Sequence, residues 1–221
     1  MNRARVKLLV SVLVILAAAA AVWRSLHDAP PSFSASVPSE IGRVLALEAG
    51  KLLKPGGRVI VIARDTEAFT QPAFDAVLRS LNQTLREAGT PPVAVRSIQL
   101  DPQRPLQVPP GDFVELLRKA GTSDVIVSLL GPPFLSEEQR ASVGVVKPRV
   151  VAFWPGTLAE YANLRPLFEQ RLLSSAVIHR PEGLGLGLGG KTSTPPAEKF
   201  EALYQIVNGN GIPPTPLPGL P

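Results

Sequence analysis

Short runs of β-branched residues, each followed by a stretch of helical spacing, constrain this chain more than any other feature. Residues 58–63 (RVIVIA), 124–130 (DVIVSLL) and 149–154 (RVVAFW) are almost continuously apolar. A strand with one wet face alternates apolar and polar residues, whereas a strand covered on both faces does not. After the first run, Phe74, Val77, Leu78, Leu81 and Leu85 mark one face of a helix that closes near Gly89. Strand followed by helix, repeated, predicts a parallel sheet with helices on both faces.

The remaining segments fit the same plan. Ser39 is expected to cap a helix over residues 40–53, with Ile41, Val44, Leu45 and Leu52 at helical spacing and Pro55-Gly56-Gly57 ending it. Residues 93–100 form a more polar strand, with Arg96 and Ser97 inside it, as expected of a sheet edge. Asp112 with Glu115, and Ser136 with Gln139, have the spacing of capping boxes that open two further helices. Residues 157–174 read as helical, with Pro166 kinking or restarting the helix. Residues 176–179 are a short fifth strand. A last helix begins after Thr194, with Phe200, Leu203, Tyr204 and Val207 on one face. The expected fold class is α/β: a single doubly wound, flavodoxin-like, mostly parallel five-stranded sheet of order 2-1-3-4-5, preceded by one N-terminal hydrophobic helix. Hydrophobic residues make up 45% of the chain and charged residues 19%, enough for a packed core and too apolar for wholesale disorder.

The amino terminus has its own chemistry. Residues 8–23 are apolar apart from Ser11, and they come after Arg3, Arg5 and Lys7. A spanning helix needs about 20 apolar residues, with a range of about 17–25. This segment therefore reads as a membrane anchor, with Trp23 at the interface, or as a signal peptide with Ala-rich cleavage sites at residues 17–21. Either reading keeps the positive charges in the cytoplasm and delivers the rest of the chain across the membrane. The expected place is a bacterial-type inner membrane: single pass, amino terminus inside, the domain on the periplasmic or other extracytoplasmic side, secreted if the segment is cleaved. Four of the 23 basic residues precede Asp28, the first acid, which leaves 19 bases against 18 acids. A folded part so nearly neutral carries no basic stripe, so nucleic acid is not an expected partner. The expected divisions are an anchor or signal peptide (1–26), a proline-containing linker (27–39), the α/β domain (40–208) and a proline-rich tail (209–221).

Composition also limits the chemistry. Cysteine is absent, which excludes disulfides, thiolate metal sites and a cysteine nucleophile. With only His27 and His179, no histidine-rich metal centre is expected, and no cofactor is expected either. Residues 185–192 (GLGLGGKT) satisfy the P-loop spacing through Gly185, Gly190, Lys191 and Thr192. A P-loop helix starts at its lysine, yet Pro195 and Pro196 come soon after, and the stretch lies beyond the last expected strand. Nucleotide binding there ranks behind a plain loop. Residues 53–59 (LKPGGRV) resemble a segment of class I methyltransferases, but the glycine-rich cofactor loop that should precede it is missing. A helix end and tight turn explain these residues equally well.

In open α/β sheets, ligands bind beyond the carboxyl ends of the strands, where the strand order reverses. In the order 2-1-3-4-5 this point lies between the first and third strands. The candidate ligand-binding residues at this edge are Arg64, Asp65, Thr66, Phe134, Trp154, Thr157, His179 and Arg180. Trp154 offers a flat apolar surface, and Arg64 and Arg180 can pair with an anion. The enzyme alternative is a hydrolase or transferase built on Asp65, Trp154 and His179, although no G-x-S-x-G elbow accompanies them.

Residues 58–63, the amphipathic helix after them and residues 124–130 resemble the opening units of one lobe of a type I periplasmic substrate-binding protein. Such proteins close two lobes on a ligand, and only one lobe can be built from this chain. The expected function is a membrane-tethered, exported α/β domain that serves as a binding or assembly module of the cell envelope. Its expected partners are the membrane, through residues 8–23, and an envelope protein or a small ligand. Pro213, Pro216, Pro218 and Pro221 in the tail are spaced for an aromatic groove.

Overall fold

A computed structural model describes residues 12–20, 22–23, 34–66, 71–99, 107–132, 135–144, 147–154, 164–180 and 194–209. The chain divides into two compact units, Met1–Ser34 and Ala35–Pro221. In the first unit, residues 12–20 and 22–23 are helical and exposed. Among the described residues no helix is long and apolar enough to cross a membrane.

The second unit runs α1 (Ser36–Leu52), β1 (Val59–Arg64), α2 (Pro72–Glu87), β2 (Ala94–Ile98), α3 (Pro110–Lys119), β3 (Val125–Ser128), α4 (Glu137–Ser142), β4 (Arg149–Trp154), α5 (Arg165–Glu169), β5 (Ser175–His179), α6 (Pro196–Leu203) and β6 (Tyr204–Asn208). The fold is mixed α/β with a mostly parallel sheet. The expected five strands in the order 2-1-3-4-5 are corrected to six, in the order β2-β1-β3-β4-β5-β6. The added strand pairs antiparallel with β5, in register His179↔Tyr204 to Ser175↔Asn208. The expected helix through Tyr204 and Val207 therefore stops at Leu203. The next five residues, YQIVN, are rich in types that favour strands, and β5 offers them an open edge.

Side chains alternate across the sheet and build two cores. Val59, Val61, Val125, Val127, Val151 and Val177 pack under α1, α2 and Phe200 of α6. Ile60, Ile62, Ile126, Val150, Trp154 and Ala176 pack under α3 and the segment carrying Leu167 and Phe168 of α5. The period of two along each strand makes both layers from the same residues' neighbours, which is why the central runs look continuously apolar. On β2 the edge reading is visible directly: only Ile98 is buried.

Several expected boundaries move. α1 starts at Ser36 with Ala35 as its N-cap, and Ser39 lies inside it, its amide donating to the Ala35 carbonyl at 2.9 Å. Pro38 is tolerated because first-turn amides have no partner within the helix. The expected capping box at Asp112 does not form: α3 begins at Pro110, and Glu115 pairs with Lys119 instead. The box at Ser136 and Gln139 does form, with both reciprocal bonds present. Pro166 sits in the first turn of α5, and the chain turns away at Arg171, where φ is +55°.

Candidate functional site

The carboxyl ends of β1, β3, β4 and β5 share one edge of the sheet, and the first two are fastened to their neighbours. The Asp65 amide donates to the Ile98 carbonyl at 2.9 Å, so the loop after β1 leaves tied to β2. After β3, the Leu129 amide donates to Ile62 and the Gly131 amide to Phe153, both at 2.9 Å. The buried Ser128 hydroxyl donates to the Gly131 carbonyl at 2.6 Å and closes the turn. Gly131 has φ +79°, the left-handed region that only glycine enters freely.

The connection after β1 leads to α2, over the Val59 and Val61 face. The connection after β3 leads to α4, on the side of the Ile60 and Ile62 face, where Leu135 and Val143 join the core. The two connections diverge beyond the ends of β1 and β3. Arg64, Asp65 and Thr66, all half-buried, stand at the end of β1. Phe134 and Thr157 lie outside the described residues, as do the P-loop-like residues 185–192 and the tail 210–221.

Trp154 is 2% exposed and packs in the core, and a Cβ placed on Gly131 would meet its indole at 3.4 Å. It lies among the Ile60 and Ile62 layer. His179 lies on the other side of the sheet, edge-on to Tyr204 with ring centroids 5.1 Å apart. Tyr204 also stacks on Phe200 at 5.6 Å and meets Phe153 at 5.8 Å. His179 Nδ1 donates to the Arg180 carbonyl at 2.9 Å, the only sense in which a carbonyl can take part. Arg180 is itself committed: its Nε donates to the Tyr204 carbonyl at 3.0 Å and its amide to Leu203 at 2.7 Å. Burial pushes the Tyr204 phenol above its usual range.

The set that the enzyme alternative requires, Asp65, Trp154 and His179, does not assemble. β1 and β5 are three strand spacings apart in the sheet, about 14 Å at about 4.8 Å per strand, beyond the joint reach of an aspartate and a histidine. Trp154 and His179 occupy opposite faces. Among the described residues no group of three His, Asp or Glu side chains gathers in metal-binding geometry.

A feature not anticipated from the sequence lies at the opposite flank. A groove of about 780 Å³ runs along β2 and under α3, with Ile60, Ile62, Ile98 and Leu116 among its apolar walls and Arg96 and Glu115 among its polar ones. Lys119 and, more weakly, Arg96 hold the exposed Glu115 carboxyl below its usual range. The polar pattern of residues 93–100 is its signal, since it marks the strand at the edge of the sheet.

No protein-family model and no curated protein matches the sequence. Among solved structures the chain is similar to a sugar-binding protein of a sugar ABC transporter from Bacillus halodurans (16% identity, 64% of this chain and 45% of that one, TM-score 0.44). It is also similar to GanP, a glucose-galactose binding protein from Geobacillus stearothermophilus (13% identity, 84% of this chain and 66% of that one, TM-score 0.44). A third is an ABC transporter solute-binding protein from Agrobacterium vitis bound with alpha-D-tagatopyranose (14% identity, 81% of this chain and 57% of that one, TM-score 0.43). The chain spans between 45% and 66% of the length of these proteins.

Proposed function

We propose that this chain is an exported α/β binding module held at a membrane by residues 8–23, with its ligand face at the carboxyl ends of β1 and β3. The observation that carries the tether is the exposure of the amino-terminal unit: Val12, Leu13, Val14, Ile15, Leu16, Val22 and Trp23 are each between 46% and 70% exposed. Large apolar side chains gain about 1.5–3 kcal/mol each on leaving water, so a contiguous set of them seeks lipid. Arg3, Arg5 and Lys7 before the segment orient it with the amino terminus inside.

The switch point between Arg64–Thr66 and the β3 turn supports the binding reading, because the connections from adjacent strands leave there on opposite faces. Arg64, Asp65 and Thr66 form its described side, and Phe134 and Thr157 are proposed to join them, while Trp154, His179 and Arg180 are engaged within the fold. An enzyme reading has lost its convergent side chains, so binding is the simpler assignment.

The test has two arms. After an alkaline wash, full-length protein is expected in the membrane pellet and a variant lacking residues 8–23 in the supernatant. Full-length protein in the wash would remove the tether. Separately, a panel of sugars, amino acids and small carboxylates is screened by thermal shift against the parent and Asp65→Ala. A stabilising ligand whose effect is lost in the variant supports this site. An equal shift in both places the ligand elsewhere.

A further inference from the structure

We draw no further inference here: the strongest candidate, the groove between α3 and the edge strand β2, carries nothing because nothing among the described residues shows what covers it.

Discussion

His179 and Tyr204 face each other across the seam between β5 and β6, paired in register, with their rings edge to face at 5.1 Å. This contact closes the far side of the sheet. It joins the one histidine among the described residues, which is half-buried, through Tyr204 to an aromatic cluster with Phe153 and Phe200. It also yields a pH signature. Burial raises the Tyr204 phenol, so the folded state keeps this proton to higher pH than the unfolded state does. Its contribution to stability is complete below the ordinary phenol value near 10 and falls as pH rises through the raised one. In a Tyr161→Phe background, where Tyr204 is the remaining tyrosine, absorbance at the tyrosinate band should titrate above the free-phenol value. Tyr204→Phe in the parent should flatten the alkaline loss of stability.

Gly42 lets α1 lie against α2. A Cβ at this position would stand 2.2 Å from the Val77 carbonyl oxygen and 3.0 Å from the Leu81 amide. Both neighbours are backbone and cannot swing aside. Gly42→Ala should therefore cost about 2–3 kcal/mol as the helices are pushed apart. Gly50, in the same helix, has nothing within 4 Å of such a Cβ. Gly50→Ala should instead stabilise by about 0.5–1 kcal/mol. Urea denaturation of the two variants checks the contrast.

Asp124 ties the entrance of β3 to that of β1. Its Oδ1 accepts from the Arg58 amide at 3.0 Å and its Oδ2 from the Gly121 amide at 2.9 Å, with the side chain almost wholly buried. Asp124→Ala leaves two amides without their acceptor and should cost about 1–3 kcal/mol. Asp124→Asn keeps one acceptor oxygen, so its denaturation midpoint should fall between those of the parent and the alanine variant.

The alternation of β-branched runs and helical faces makes most of the sheet legible from residues alone. The strand expected over residues 149–154 is β4, over that span. Residues 58–63 and 124–130 are central because both faces are apolar. The sixth strand is hidden because Phe200, Leu203, Tyr204 and Val207 also satisfy helical spacing, and only the open edge of β5 decides between the two periods. Ser39 looks like a cap because a serine before an apolar run is the usual signal, while Pro38 can enter a first turn at no cost in hydrogen bonds. The candidate site is legible only in part. Sheet topology directs attention to Arg64, Asp65 and Thr66, but nothing local in the sequence shows that Trp154 is buried behind Gly131. The polar residues of β2 mark the edge of the sheet, but the groove beside it depends on where α3 lies, which those residues do not encode.

The proposed function requires the α/β unit to stand on the far side of a membrane, and the absence of cysteine makes this measurable without background. Gly50→Cys places one thiol on an exposed helix position with open space around it. In bacterial cells expressing the full chain, with the outer barrier opened and the inner membrane intact, a membrane-impermeant maleimide should label this thiol fully before lysis. Labelling that appears only after the inner membrane is broken would contradict an exported module.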